Sequence, residues 1–226
     1  MKTVDEKIEE GREYRDMTVT IVDEENNEEK QMIVEGYATT FDVPYDLYWL
    51  DENTVVREVV LKSSFDETDL NDVIMQYDHE GRVFARISNN TLNLKVDDNG
   101  LKVRADLGQT TIGRELYEEI EKGFTTKMSF GFIVEEDSID EERSDDITIY
   151  TRTIRKISKV FDVSAVSLPA NNNTSIYSAR KHIDGLIEVR QMECLKREEE
   201  RKAKELKIRK LRARIATMKG NKKNGN

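Results

Sequence analysis

A mainly β fold with a few helices is what this sequence predicts, and three features predict it. Segments that alternate apolar and polar residues recur at short spacing. Clusters of Asn, Asp and Gly punctuate them. Helical periodicity is confined to one internal segment and the C-terminal tail. Many short strands with few helices predict a closed or nearly closed β-barrel, which leaves no sheet edge bare.

The first strand in chain order is Met17-Thr18-Val19-Thr20-Ile21-Val22, rich in β-branched residues and ended by the acidic turn Asp23 to Glu29. Gln31 to Ala38 is its expected hairpin partner. Thr54 to Leu61 is a further strand, and Ser63-Ser64-Phe65-Asp66 to Leu70 reads as a short helix with a serine cap. Val73-Ile74-Met75-Gln76-Tyr77 is an apolar, strand-like run. The clearest hairpin joins Thr91 to Val96 with Leu101 to Leu107 across Asp97-Asp98-Asn99-Gly100, where Asn-Gly suits positive φ. Alternation in both arms predicts one wet face and one packed face. Lys127 to Phe132 is another strand, Asp137 to Asp146 an acidic and mobile hairpin tip, and Ile147 to Ile157 alternates with Ile147, Ile149, Thr151 and Thr153 on one side.

The internal helix runs from Thr110 to about Lys122 with Gly123 as its stop, and Ile112, Leu116 and Ile120, spaced by four, face the barrel. From about Lys181 to Met218 there is no Pro and no β pattern, and Glu, Lys, Arg, Leu and Ala dominate, so a long C-terminal basic helix follows. Ile208, Leu211, Ile215 and Met218 are spaced 3, 4, 3, like a coiled-coil seam, whereas Glu198 to Lys202 is fully charged. Residues 219–226 are expected to be disordered.

Charge divides the chain. Residues 190–226 hold 14 Lys+Arg and 5 Asp+Glu, while residues 1–189 hold 22 basic and 41 acidic residues. An acidic body with a basic tail sets two regions, 1–178 and 179–226. The single cysteine, Cys194, excludes an internal disulfide and fits a reducing cytosol. No apolar run reaches membrane-spanning length and the N-terminus lacks a signal pattern, so a soluble intracellular protein is expected. Two histidines and one cysteine far apart give no zinc spacing, and neither an EF-hand nor a Gly-rich phosphate loop is present. No metal or cofactor is therefore expected.

The residues that carry chemistry lie on three separate strands. His79 follows the apolar run in Tyr77-Asp78-His79-Glu80-Gly81, Ser129 lies fifty positions later in Lys127-Met128-Ser129-Phe130-Gly131-Phe132, and Asp162 is a lone acid in Val160-Phe161-Asp162-Val163. A base, a hydroxyl and a carboxylate are the parts of a nucleophilic hydrolase. Each alone has a plainer reading: a solvated loop histidine, an ordinary strand serine, a strand acid that blocks aggregation. Lys127 and Gly131 flank Ser129, so no Gly-x-Ser-x-Gly elbow is present. His182 is the rival base, but Arg180-Lys181-His182 lies beyond the barrel.

Order and local sequence together resemble the prohead maturation proteases of tailed bacteriophages, which are similar to the herpesvirus assemblins. The resemblance rests on Glu35-Gly36-Tyr37-Ala38-Thr39-Thr40-Phe41, Tyr77-Asp78-His79-Glu80, Gly113-Arg114-Glu115-Leu116-Tyr117 through Gly123, and Met128-Ser129-Phe130-Gly131-Phe132. It continues in Phe161-Asp162-Val163-Ser164-Ala165-Val166-Ser167-Leu168-Pro169-Ala170-Asn171 and covers roughly residues 30–178. One departure is that the family often carries Glu where this chain has Asp162, which is shorter by one methylene.

The resemblance implies an assemblin-like barrel and a serine endopeptidase with Ser129 as nucleophile, His79 as base and Asp162 as third member. It implies oxyanion donors among the backbone N–H groups around Asn171 and Asn172. The substrates would be the major capsid protein precursor, scaffold segments and the chain itself, inside the immature prohead in the host cytoplasm. Assemblins suggest activation by dimerisation. The basic tail alone reads as a solvated helix with no specific ligand; the resemblance implies instead that it docks on scaffold and is later cut off by the protease itself, and nucleic-acid binding is disfavoured because the tail has no aromatic residue for base stacking. A non-catalytic capsid-assembly or scaffold protein with the same barrel is the alternative, and it has no reason to hold the Ser129 hydroxyl within hydrogen-bond reach of His79.

Overall fold

The computed structural model of the chain describes residues 11–21, 31–144, 146–166 and 175–221. In chain order these form β1 (Glu13–Ile21), β2 (Ile33–Thr40), β3 (Tyr45–Asp51), β4 (Thr54–Val60), β5 (Ile74–Tyr77) and β6 (Glu80–Arg86). Then come β7 (Leu92–Val96), β8 (Gly100–Asp106), helix α1 (Thr111–Glu121), β9 (Lys127–Arg143), β10 (Thr148–Val166) and helix α2 (Ser175–Asn221). Two compact units divide the chain, Met1–Ile183 and Asp184–Asn226.

The first unit is one mixed sheet in the order β3-β4-β10-β9-β1-β2-β8-β7, with β5 and β6 attached to β10. It is open rather than a barrel: β7 and β3 end the path, and no pairing joins them among the described residues. Strand β10 is where the sheet branches. It pairs antiparallel with β9 along one edge, while its other edge takes β4 in parallel at 148–154 and β5 in parallel at 162–165. Parallel neighbours need long crossovers instead of hairpins. Alternation in sequence reports which face a residue takes and not which strand lies beside it.

Several local expectations are met. β1 pairs β2 through Val19↔Gly36 and Ile21↔Val34. β7 and β8 form the expected hairpin, Leu92↔Ala105 to Val96↔Leu101. Thr110 caps α1 by accepting a hydrogen bond from the Gly113 N–H at 3.0 Å, and Gly123 has φ +75° past its end. Leu116, Tyr117 and Ile120 are buried beneath that helix, with Ile112 only partly buried.

Other expectations are corrected. Neither Asn99 nor Gly100 has positive φ. Instead the Asp97 carboxylate accepts from the N–H of Asn99 at 2.8 Å and of Gly100 at 3.1 Å, an Asx-type turn. Gly100 is required for space, since a Cβ there would lie 2.0 Å from the Thr39 carbonyl oxygen. The segment after Leu61 is a 3₁₀ turn, Lys62–Phe65, with no side-chain cap; the Ser64 hydroxyl donates back to the Leu61 carbonyl at 2.6 Å. The acidic stretch from Asp137 to Arg143 is strand, paired with β10 up to Arg143↔Thr148. α2 continues through Asn221, so 219–221 are helical. Ile208 and Leu211 are exposed on it, while the side chains of Ile215 and Met218 and residues 222–226 lie outside the described residues.

The sheet's least expected feature is a buried ion cluster. In β10 the buried face is Tyr150, Arg152 and Ile154, not the Ile149 set. Arg152, wholly buried, donates to Glu13 at 2.6 and 2.8 Å, to Glu58 at 3.0 Å and to Asp137 at 2.6 Å. Arg15 donates to both Glu58 oxygens at 2.6 and 2.7 Å and to Glu13 at 2.8 Å, and the Tyr45 hydroxyl donates to Glu58 at 2.5 Å. Burial alone would raise the Glu58 pKa, but the guanidinium groups of Arg15 and Arg152 outweigh it and hold the carboxyl at about 2. The cluster ties β1, β3, β4, β9 and β10 together.

Candidate active site

Strand alternation sorts β1 into two faces. Glu13 and Arg15 enter the ion cluster, and Tyr14 between them faces the other way, paired with Gly131 of β9. Paired residues share a face, so Tyr14, Ser129, Gly131, Asp162 and Ser164 stand together through the registers Tyr14↔Gly131, Asp162↔Gly131 and Ser164↔Ser129. A register shift between Val160 and Asp162 leaves Phe161 as an extra residue in β10. Such bulges re-aim the side chains beside them. Here the irregularity falls just before β10 takes β5 as its partner, at Asp162↔Ile74.

His79 reaches this face from a hairpin turn. Tyr77 pairs with Glu80, so Asp78 and His79 are the two residues of the loop between β5 and β6. Both have positive φ, 47° and 59°, the pattern of a type I′ turn. Asp and His tolerate that region better than most side chains, and a strained backbone at a functional position is a recurrent device. The Asp78 N–H donates to the Ala165 carbonyl at 2.9 Å, which pins the turn to the strand that carries Asp162.

The three sequence-predicted residues meet. His79 is 3 % exposed, Ser129 0 % and Asp162 1 %. The His79 Nδ1 is hydrogen-bonded to the Asp162 Oδ1, and the Nε2 lies 2.8 Å from the Ser129 Oγ. An ionised carboxylate can only accept, so Nδ1–H donates to Asp162. In the neutral imidazole Nε2 is then the acceptor of the Ser129 O–H. The Ser164 hydroxyl donates to the same Asp162 Oδ1 at 3.1 Å. Asp162 is long enough to reach His79 without the methylene of a Glu.

Four neighbours were not singled out from sequence. The Tyr14 ring covers His79 with centroids 4.1 Å apart at 53°, and burial followed by the Asp162 charge pushes its phenol pKa well up, so it stays neutral. Arg12 lies over the Phe161 ring at 3.6 Å, with its guanidinium 3.9 Å from the Asp162 Oδ2. Ser164 is the third, as described. Gly131 is the fourth: a Cβ there would come within 2.7 Å of both the Asp162 Oδ2 and the Tyr14 Cε1. A glycine inside a strand was the one signal that pointed here, to a close approach. Tyr14 and Arg12 left no signal, because nothing in sequence pairs residue 14 with residue 79.

The remaining sequence assignments fall elsewhere. His182 is at Asp137, with Nε2 3.2 Å from its Oδ2, and not at Ser129. Asn171 and Asn172 lie outside the described residues. Among the described residues no group of His, Cys, Asp and Glu is arranged to hold a metal ion. No helix among them is long and apolar enough to cross a membrane. A cavity of about 550 Å³ lies beside the histidine turn, between Tyr77, Asp78, Glu80 and Phe84 and the α1 residues Ile112, Glu115 and Leu116.

A buried hydroxyl, imidazole and carboxylate in hydrogen-bonded series can transfer a proton from the hydroxyl as it attacks an electrophilic carbon. Comparison with known proteins gives the chemistry a family. No curated protein matches the chain. Among solved structures, the bacteriophage T4 capsid assembly protease, gp21, is similar with a TM-score of 0.40 and 13 % identity, over 70 % of this chain and 98 % of that one. The family described as caudovirus prohead serine protease matches residues 18–187, a span that contains His79, Ser129 and Asp162. By that match the chain belongs to the caudovirus prohead serine protease family.

Proposed function

We propose that the chain is a serine endopeptidase of capsid maturation in which Ser129 is the nucleophile, His79 the general base and Asp162 the residue that orients the imidazole. The observation that carries the reading is the 2.8 Å contact between His79 Nε2 and Ser129 Oγ, because a purely structural protein gains nothing from it. Ser129 Oγ attacks the scissile carbonyl as His79 takes its proton, and the acyl-enzyme forms when His79 returns that proton to the leaving amine. Water then repeats the cycle in reverse sense. Asp162 fixes the Nδ1–H tautomer and stabilises the imidazolium. The oxyanion donors are assigned to backbone N–H groups near Asn171 and Asn172 on the family resemblance alone. Because Ser129 is wholly buried, a peptide reaches it only when the site opens.

Capsid precursor, scaffold segments and the chain's own termini are the substrates we assign, within the immature prohead. Intact mass followed over time for the wild type beside Ser129→Ala tests this. Loss of terminal segments in the wild type alone is the expected result. Equal truncation of both chains, or none in either even with a capsid precursor co-expressed, returns the protein to the non-catalytic assembly reading.

A further inference from the structure

One oxygen of the candidate triad lacks a hydrogen bond among the described residues. Asp162 Oδ1 accepts from His79 and from Ser164, but the buried Oδ2 has no hydrogen-bond partner among the described residues. Burying a carboxylate oxygen without a donor is costly unless a positive charge stands nearby. The described cation at that oxygen is Arg12, whose Nη1 lies 3.9 Å away. Its guanidinium stands over the Phe161 ring at 3.6 Å and the Arg12 side chain is only 17 % exposed, so the pair is little screened by water.

Arg12 immediately precedes β1, and β1 is anchored by the ion cluster through Glu13 and Arg15. The anchoring fixes where the preceding residue can reach. The segment also brings the Tyr14 ring onto His79. Residues 12–14 lie before the span 18–187 that matches the family.

We propose that Arg12 is a positioning residue for the Ser129–His79–Asp162 constellation: its charge holds the Asp162 carboxylate so that Oδ1 stays aimed at the imidazole Nδ1. The inference rests on the triad reading of the proposed function. It makes the segment ahead of β1 part of the catalytic apparatus, so that proteolysis between Arg12 and β1 would silence the enzyme while leaving the three triad side chains in place. Because the contact at 3.9 Å is a through-space ion pair rather than a bidentate clamp, the charge matters more than the fork of the guanidinium.

The test is the rate at which a fluorophosphonate probe labels Ser129 in the full chain. The serine Oγ forms a bond to phosphorus, fluoride leaves, and the proton passes to His79, so the rate reports triad activation without a known substrate. Arg12→Gln should lower the maximal labelling rate about 10- to 100-fold, the scale of a misplaced catalytic group, and leave the half-saturating probe concentration unchanged. Arg12→Lys should recover most of the rate. In an Asp162→Asn background, Arg12→Gln should add no further loss, since Arg12 acts through that carboxylate.

Wild-type labelling by Arg12→Gln overturns the proposal, as does additivity with Asp162→Asn or an Arg12→Lys chain as slow as Arg12→Gln. Thermal unfolding of each variant separates a lost fold from a lost position, and a variant that no longer melts cooperatively is replaced by Arg12→Met, judged by the same criteria. If the wild type is not labelled, or Ser129→Ala is labelled equally, the triad reading itself falls; labelling lost in Ser129→Ala but kept in Arg12→Gln removes the Arg12 role alone.

Discussion

Gly131 shows how narrowly the candidate site is built at the scale of single residues. It is the cross-strand partner of both Tyr14 and Asp162, and its missing side chain is the space in which the carboxylate and the phenol ring meet. Gly131→Ala places a carbon 2.7 Å from each, and neither neighbour is the free end of a mobile side chain. The expected outcome is a folded protein with labelling of Ser129 by a fluorophosphonate slowed about 100-fold, the size of effect that a displacement near 1 Å produces. Unchanged labelling would show that Tyr14 and Asp162 can move apart without cost. Ser129 and His79 could be chosen from sequence because their order and the motifs around them, Tyr77-Asp78-His79-Glu80 and Met128-Ser129-Phe130-Gly131-Phe132, resemble a known family. Tyr14 and Arg12 could not, since an aromatic residue and an arginine near the N-terminus have many uses.

At the scale of elements, the β5–β6 turn decides where the imidazole sits. A strand residue at position 79 would alternate with its neighbours, but a two-residue turn with both φ values positive lifts His79 out of that alternation and over the sheet. Asp78 shares the requirement at φ 47°. Replacing it with Asn, which accepts positive φ, should leave the unfolding midpoint where it is. Asp78→Val puts a β-branched side chain in the left-handed region and should cost about 1–2 kcal/mol, read as a lower midpoint in urea. It should also slow labelling of Ser129, because the same turn carries the base. The helix α1 was legible in its start at Thr110, which proves to be its cap, and in its Gly123 stop, since both signals lie in neighbouring residues. The partner switch of β10 from β4 to β5 was not, because it joins segments far apart in sequence.

The first unit as a whole is organised around charge buried in the sheet. Glu13, Arg15, Glu58, Asp137 and Arg152 come from four strands, and removing Arg152 leaves three buried carboxylates to share the single guanidinium of Arg15 inside the sheet. Arg152→Met should therefore destabilise the protein by about 3–5 kcal/mol in equilibrium denaturation, despite keeping volume and adding apolar surface. A change below about 1 kcal/mol would mean that the sheet is held by its apolar contacts alone. The pH dependence has a definite sign. Glu58 is held at about 2 in the folded chain, below its ordinary 4.5, so its contribution is fully present above 4.5 and is lost as pH falls from 4.5 towards 2. Unfolding midpoints should fall across that window, and Glu58→Gln should flatten the fall while lowering stability at neutral pH.

Local regularities were settled by the sequence: which segments alternate, where the internal helix starts and stops, and which three residues could form a hydrolase. The strands and the helix rest on side chains a few positions apart, whose effect on the backbone does not depend on what lies across the sheet, and the three residues on the order of the short motifs that carry them. Tertiary structure alone decided that the sheet stays open, that Arg152 rather than its β-branched neighbours faces the interior, and that Tyr14 and Arg12 stand beside His79 and Asp162. Those outcomes depend on strand partners brought together from distant positions. A period-two pattern names two faces for a strand, but the partner across the sheet determines which face is dry, which is charged and which meets the nucleophile.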